Sequence, residues 1–223
     1  YIFHLLDNDA DKNKMGPKPF VDLGGTVSVN KAETIDTSKK TVTVESGEQF
    51  RYDKLVFATG SHPQVPDYIP GHDLQNVFYI KKDYMYVKDL ALRKNGFKKM
   101  VIIGGGFIGA EVAEQMAQSG INVTLVESEP VCFSRAFSTE LSRIATEALK
   151  HAGVNIVTSA RVKEIAGDNN SVKEVLLDSG KKIEADAVIL SIGYKANTQL
   201  AMETGIELNR YGDIHVDQYG RTS

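Results

Sequence analysis

The chain has 223 residues, of which 42% are hydrophobic and 8% aromatic, values typical of a globular protein with a sizeable core. Its formal charge of −3 supplies no basic field, and no apolar run is long enough to cross a bilayer, so neither nucleic acid nor a membrane is an expected partner. The single cysteine, Cys132, excludes an internal disulfide, and the lack of a secretory signal before Tyr1 makes the cytoplasm the expected compartment.

The first part of the chain predicts an antiparallel β-meander. Residues 1–26 show no sustained hydrophobic period and predict irregular structure. Short β-like stretches between residues 27 and 52 are separated by turn-forming residues, and they lead into an apolar strand, Leu55–Ala58, that ends at Thr59-Gly60. A proline-rich stretch, 61–71, then predicts a stiff, extended crossover and a domain boundary.

The middle of the chain predicts a βαβαβ unit. After a helix capped by Asp83, strands are expected at 100–103, 122–127 and 154–157, with helices from about 107 to 119 and 139 to 152 between them. The second of these helices carries apolar residues at helical spacing, so one face is expected to pack on a sheet. These residues are Leu141, Ile144, Ala145, Ala148, Leu149 and Ala152. A second meander then leads to a buried strand, Ala187–Leu190.

Two stretches of the chain match each other at a constant offset of 133 residues. Ser46-Gly47 through Thr59-Gly60 lie over Ser179-Gly180 through Ile192-Gly193. A single duplication at this distance indicates two copies of one domain type rather than a repeat array. The second copy follows a glycine loop that begins at Gly104, and the counterpart of that loop would precede the first residue. The sequence therefore predicts one complete and one incomplete nucleotide site, as in a piece of a larger two-nucleotide protein.

The most specific motif is the glycine loop of residues 104–109, Gly-Gly-Gly-Phe-Ile-Gly, which fits the dinucleotide-binding pattern G-x-G-x-x-G. The loop follows an apolar strand, opens a helix, and is followed by Glu127 at the end of the next strand. Free N–H groups at the helix start suit a pyrophosphate, and Glu127 suits the adenosine ribose hydroxyls. A carboxylate there repels a 2′-phosphate, so NAD(H) is predicted to be preferred over NADP(H). The nearest positive side chain, Arg135, is expected to be a solvated surface residue.

The segments Val101–Glu111 and Tyr52–Pro63 together resemble the pyridine nucleotide-disulfide oxidoreductases. The resemblance is to the branch of NADH oxidases, coenzyme A disulfide reductases and rubredoxin or ferredoxin reductases. It implies an FAD domain split in sequence by an inserted NAD domain. The expected fold class is α/β: a Rossmann-like dinucleotide-binding domain with a central parallel sheet and an antiparallel β-meander, plus an incomplete second domain of the same type. We expect a partial FAD-binding domain at 1–80, the NAD-binding domain at 81–196, and a return segment toward the FAD domain at 197–223.

The resemblance also implies roles for particular residues. The expected cofactor-binding residues are Ala58, Thr59 and Gly60 beside FAD, and Gly104, Gly106, Phe107, Ile108, Gly109, Glu127 and Gly193 beside NAD. Phe107 is expected to cover the flavin until nicotinamide displaces it, and Glu111 to face the nicotinamide and flavin; these two are the expected catalytic residues. Ala196 stands where the family has a proline, which predicts a less rigid loop. The five scattered histidines predict no metal site.

The implied function is the NADH-binding portion of an FAD-dependent oxidoreductase that passes hydride from NADH to flavin and on to a disulfide, oxygen or a redox protein. FAD is expected in the full-length protein and is expected to be absent from this fragment, which would be inactive alone. The electron acceptor is left open, as is a homodimer of the full-length form. Two alternatives stand beside this one: an NADH-sensing or scaffold flavoprotein of the apoptosis-inducing-factor type, and a single-nucleotide NAD dehydrogenase.

Overall fold

The computed structural model describes residues 16–223, which form two compact units. One unit is continuous and comprises residues 63–194, and the other combines residues 16–62 with residues 195–223. The helices and strands are, in chain order, α1 (Lys18–Asp22), β1 (Ala32–Asp36), β2 (Thr41–Val44), β3 (Gln49–Arg51), β4 (Ser61–Pro63), β5 (Val77–Tyr79), α2 (Tyr84–Arg93), β6 (Lys99–Ile103), α3 (Phe107–Gln118), β7 (Asn122–Val126), α4 (Thr139–His151), β8 (Asn155–Val157), β9 (Val162–Asp168), β10 (Ser171–Leu177), β11 (Lys182–Glu184), β12 (Ala187–Leu190), β13 (Tyr194–Ala196) and α5 (Gln199–Glu203).

The continuous unit is built on a five-stranded sheet with the strand order β5-β12-β6-β7-β8. All four neighbouring pairs are parallel. Strand β12 and the Met100–Ile103 part of β6 are apolar and buried because both faces of a parallel sheet are covered. The predicted α/β class with a central parallel sheet is confirmed, and so is the βαβαβ order.

Both predicted meanders are present, although their bounds differ from the expectation. β1, β2 and β3 pair in antiparallel order in the discontinuous unit, and β9, β10 and β11 do so in the continuous one. The first strand lies at Ala32–Asp36 rather than at residues 27–29. Strand β5 was not predicted. Its three residues are too few to show a period, and its pairing with β12 draws it into the sheet.

The predicted apolar strand at Leu55–Ala58 is wrong. These residues form no strand, and Val56 is 83% exposed. Their counterparts in the duplication, Ala187–Leu190, form β12 and are at most 1% exposed. The difference follows from neighbours, because β12 is hydrogen-bonded to β5 on one side and to β6 on the other. An apolar run becomes a buried strand only where such neighbours exist.

Helix α4 has the predicted position, and of its predicted apolar face Leu149 is buried while Leu141 and Ile144 are not. Ser138 caps its start, as expected, with its side chain accepting from the N–H of Leu141. Leu141 and Ile144, predicted to pack on a sheet, are 54% and 61% exposed. Ser142, Thr146 and Leu149 are the buried residues. On this buried face the Thr146 hydroxyl accepts the Cys132 N–H at 3.1 Å, and Leu149 packs in the apolar core.

The predicted cap of helix α2 is also confirmed, with the Asp83 carboxylate accepting from the N–H of Tyr86 at 2.7 Å. In the discontinuous unit, Val44 and Ala201 are the buried apolar residues among those described. None of the helices described for residues 16–223 has the length and apolarity that a membrane span requires.

Candidate functional site

A cleft of about 670 Å³ opens at the carboxyl edge of the parallel sheet in the continuous unit. Its lining comes from segments that follow β6, β7, β8 and β12: Gly104–Ile108, Glu127–Glu129, Phe133–Ala136, Ala160–Val162 and Ser191–Tyr194. In open α/β sheets, ligands bind in the crevice outside the carboxyl ends of the strands. The predicted glycine loop, Glu127 and Gly193 are therefore brought to one place.

The glycines of the loop serve different purposes. Gly104 has φ of +106°, and a Cβ there would lie 2.3 Å from the Ser191 carbonyl oxygen. A Cβ on Gly109 would lie 1.9 Å from the Gly104 carbonyl oxygen. These two positions need glycine so that the loop, helix α3 and the end of β12 can meet. A Cβ on Gly106 would meet nothing within 4 Å, so the space above it is open.

Gly105 is fastened to the chain that follows β7. Its N–H donates to Glu127 Oε2 at 2.6 Å, and its carbonyl oxygen accepts the Phe133 N–H at 2.9 Å. A Cβ on Gly105 would lie 2.9 Å from Cys132 Sγ. The middle of the loop is thereby held against the β7 side of the cleft.

Glu127 is held in place by three donors. Besides the Gly105 N–H, its Oε1 accepts the Glu129 N–H at 2.8 Å and the Ser128 hydroxyl at 3.0 Å. A carboxylate has about four acceptor sites, so capacity for a ligand hydroxyl remains. The side chain lines the cleft and is half-buried, which fits the role predicted from its position after β7.

Three phenylalanine rings gather beside the start of α3. The centroid of the Phe107 ring lies 5.5 Å from the centroid of the Phe133 ring and 5.5 Å from that of the Phe137 ring. The centroids of the Phe133 and Phe137 rings are 5.7 Å apart. Phe107 was singled out in the sequence, but Phe133 and Phe137 were not. Their spacing of four residues in the loop before α4 is the only sequence signal that pairs them, and nothing local connects them to Phe107.

Two arginines also line the cleft. Arg135, predicted to be a solvated surface residue, is exposed and lines the cleft, and Arg161 joins it from the segment after β8. Glu127 and Glu129 line the same cleft, so the site combines two carboxylates with two guanidinium groups. Arg161 was not singled out in the sequence, because its place depends on the pairing of β8 with β7.

The remaining predicted site residues lie elsewhere. Glu111 is half-buried on α3, one turn beyond Phe107, outside the residues that line the cleft. Ala58, Thr59 and Gly60 belong to the discontinuous unit and are exposed. There the Thr59 hydroxyl donates to the Asn197 carbonyl oxygen at 2.6 Å, and the Asn197 N–H donates to the Gly60 carbonyl oxygen. Contact of these three residues with FAD stays a prediction.

Cys132 is fully buried behind the glycine loop. Burial raises the pKa of the Cys132 thiol, and the hydrogen bond to Thr146 offsets only part of this increase. The thiol therefore stays protonated at neutral pH and is a poor nucleophile, so Cys132 serves as a packing residue. Among the described residues, no group of three or more histidine, cysteine, aspartate or glutamate side chains is arranged to hold a metal.

The cleft residues fit a dinucleotide. Helix α3 has twelve residues and begins at Gly106 without a side-chain cap, so its first N–H groups are available to phosphate oxygens. A helix start of this kind, an open glycine and a fixed carboxylate after the neighbouring strand are the arrangement typical of dinucleotide-binding α/β folds.

Comparison with known proteins makes the family explicit. Residues 13–223 match the pyridine nucleotide-disulphide oxidoreductase family, and the chain belongs to it. The NADH oxidase of Enterococcus faecalis is 30% identical over 229 residues, which cover all of this chain and 51% of that protein. The predicted family is confirmed, and its members include NAD(P)H-dependent flavin oxidoreductases.

Solved structures agree with this assignment. A ferredoxin reductase from Rhodopseudomonas palustris superposes with a TM-score of 0.88 at 28% identity, over 99% of this chain and 55% of that one. A water-forming NADH oxidase from Lactobacillus brevis, bound to NADH, gives 0.81 at 29% identity, over 99% of this chain and 50% of that one. The chain thus spans about half the length of the proteins that it matches.

Proposed function

We propose that the cleft binds NAD(H), and that the chain supplies the NADH-binding part of an FAD-dependent oxidoreductase. In such a protein the nicotinamide supplies a hydride, which passes to the flavin and on to a disulfide, oxygen or a redox protein. The observation that carries the proposal is the uncapped start of α3 at Gly106, which opens into the cleft beside the fixed Glu127 carboxylate.

The protein's part in this chemistry is to bind and orient the dinucleotide. The first N–H groups of α3 and the positive end of its dipole face the pyrophosphate, and the absence of a Cβ on Gly106 permits close approach. Glu127 accepts from the adenosine ribose on the β7 side. The nicotinamide half then extends past Gly193 on the β12 side. Phe107 and Glu111, which share a face of α3, are the proposed catalytic residues.

We further propose that the cleft prefers NAD(H) to NADP(H). A 2′-phosphate about 4 Å from the Glu127 carboxylate is repelled by roughly 4 kcal/mol per unit charge at an effective dielectric near 20. Glu129 adds to this repulsion, while Arg135 and Arg161 oppose it. Glu127 is decisive because it is held in place by three hydrogen bonds, whereas both arginines are exposed and screened by solvent.

The proposal is tested by titrating the 223-residue chain with NADH and following the change in NADH fluorescence. Saturable binding that ADP-ribose displaces supports the proposed site, because ADP-ribose carries the same adenosine ribose and pyrophosphate. Saturable binding that ADP-ribose does not displace places NADH outside the cleft. No binding at millimolar NADH refutes the proposal.

The cofactor preference is tested by Glu127→Ala. We expect weaker NADH binding and a narrower preference over NADPH, because both the ribose acceptor and the repulsive charge are lost. Glu48→Ala, an exposed glutamate of the discontinuous unit, is the control and is expected to leave both affinities unchanged. An unaltered ratio of NADH to NADPH affinities in Glu127→Ala means that Glu127 does not read the ribose.

A further inference from the structure

The cluster of Phe107, Phe133 and Phe137 is held by more than apolar contact. Phe107 is 59% exposed, yet its ring meets Phe133 in a tilted arrangement and Phe137 edge to face. Both are favourable geometries for aromatic pairs. An exposed ring at the start of a helix has several rotamers available, and two ring contacts select one of them. The cluster therefore gives Phe107 a defined position in the cleft.

Phe133 has a backbone conformation that its side chain disfavours. Its φ is +60°, in the left-handed region, where a bulky residue other than glycine is an outlier. The Phe133 N–H donates to the Gly105 carbonyl oxygen, and its own carbonyl oxygen accepts the N–H groups of Ala136 and Phe137. A glycine would satisfy the same hydrogen bonds without strain. The ring is thus the feature that distinguishes phenylalanine from the easier residue at this position.

Sheet topology shows to which side the Phe107 ring is turned. β6, which leads into the glycine loop, lies between β7 and β12. Phe133 and Phe137 follow β7, on the side of Glu127, whereas Gly193 follows β12 on the other side. A Cβ on Gly193 would meet only Gln64 Oε1, at 3.5 Å, so the Phe107 ring stays clear of that position. The ring stands on the ribose-reading side of the cleft, and the β12 side is open.

We propose that Phe133 and Phe137 are positioning residues that hold the Phe107 ring against the β7 side and so keep the β12 half of the cleft open for the nicotinamide end of NADH. This inference rests on the proposed binding of NADH in the cleft. Phe133 and Phe137 act through Phe107 and need not touch the dinucleotide. Without them, the Phe107 side chain is free to rotate over the loop toward Gly193 and compete with the nicotinamide.

The test compares NADH with ADP-ribose, which lacks the nicotinamide. Phe133→Gly removes the ring and keeps the left-handed backbone, and it is expected to weaken NADH binding about fivefold, the size of one lost aromatic contact. Binding of ADP-ribose is expected to weaken less than binding of NADH, because ADP-ribose lacks the nicotinamide with which a released Phe107 ring would compete. Phe137→Leu, which introduces no backbone change, shifts NADH binding in the same direction by about twofold.

Two further variants make the test specific. Phe97→Leu removes a ring that packs on Phe78, 5.9 Å between centroids and outside the cleft lining, and it leaves both affinities unchanged. In a Phe107→Ala background, Phe133→Gly has no further effect on NADH binding, because the ring that it positions is gone.

The outcomes separate this inference from the proposed function. Equal weakening of NADH and ADP-ribose overturns the inference and indicates a merely structural role. An unchanged NADH affinity in both Phe133→Gly and Phe137→Leu overturns it as well. If the unmodified chain binds neither ligand, the proposed function itself fails. Retained ADP-ribose binding with selectively weakened NADH binding, abolished in the Phe107→Ala background, supports the inference.

Discussion

At the scale of single residues, the glycine loop shows that one sequence motif combines two kinds of requirement. Gly104 and Gly109 are needed for the fold, since a Cβ at either would lie within 2.3 Å of a backbone carbonyl oxygen. Gly106 meets no such limit, and its φ of −78° suits any residue. The pattern G-x-G-x-x-G does not reveal this division, because it depends on which atoms face each glycine.

This division predicts opposite outcomes for two similar substitutions. Gly109→Ala is expected to lower the free energy of unfolding by about 1–3 kcal/mol, because the new methyl group displaces the Gly104 backbone. Gly106→Ala is expected to leave the unfolding midpoint unchanged and to weaken NADH binding, because the methyl group occupies the space proposed for the pyrophosphate. Thermal unfolding and NADH titration of both variants provide the check.

Each of the two variants, Gly106→Ala and Gly109→Ala, is the control for the other. Should Gly106→Ala bind NADH as tightly as the unmodified chain, the pyrophosphate does not pass over this residue. Should Gly109→Ala unfold at the unchanged temperature, the loop relaxes without penalty and the close approach to Gly104 is not a constraint.

At the scale of elements, helix α4 buries a polar contact beside only part of its apolar stripe. The Thr146 hydroxyl accepts the Cys132 N–H and donates to the Ser142 carbonyl oxygen at 2.7 Å. The Ser142 hydroxyl is buried without a hydrogen-bond partner. Leu141 and Ile144 remain exposed. Helix α4 thus connects the segment that contains Cys132, behind the glycine loop, to the rest of the continuous unit.

Two substitutions on this buried face are predicted to act in opposite directions. Thr146→Val keeps the shape but leaves the Cys132 N–H without a partner, and is expected to lower the free energy of unfolding by about 1–3 kcal/mol. Ser142→Ala removes an unsatisfied hydroxyl and is expected to be neutral or stabilising by up to ~1 kcal/mol. Denaturant unfolding of both variants measures the difference.

A destabilised Ser142→Ala would contradict this account, because it would mean that the hydroxyl makes a bond that the structure does not show. Glu140→Ala, an exposed change on the same helix, is a suitable control for general effects on helix α4.

At the scale of the whole molecule, the chain leaves and re-enters the discontinuous unit at two points that Asn197 connects. The Asn197 side-chain amide donates to the Thr59 carbonyl oxygen at 2.8 Å, which directs its Oδ1 toward His62 Nδ1 at 2.6 Å. Since Oδ1 can only accept, His62 carries a proton on Nδ1. The backbone N–H of Asn197 also donates to the Gly60 carbonyl oxygen at 3.0 Å. The two segments are thereby fixed to each other within this unit.

We predict that Asn197→Ala loosens this connection selectively. Amide hydrogen exchange is expected to accelerate at residues 59–62 and 195–198, the two segments that the Asn197 side chain joins through Thr59 and His62, and to stay unchanged in the parallel sheet. Asn155→Ala, which removes a side-chain hydrogen bond to Asn122 in the continuous unit, is the control. Uniform acceleration across both units would show that Asn197 stabilises the protein globally rather than this connection.

Much of the molecule could be predicted because its signals are local. The parallel strands, the glycine loop, the caps at Asp83 and Ser138 and the position of Glu127 after β7 follow from residue types and spacings over short stretches. Backbone hydrogen bonding and side-chain period act over the same short range, so these features are readable without the fold.

The sequence by itself determined the family, the α/β class and the place of the dinucleotide motif. Only the tertiary structure decided that Leu55–Ala58 forms no strand while Ala187–Leu190 forms a buried one, that α4 buries Thr146, and that Phe133 and Phe137 meet Phe107. The physical reason is common to all three. Whether an apolar run, a helix face or a ring is buried depends on the surfaces brought against it, and those surfaces come from residues distant in the chain.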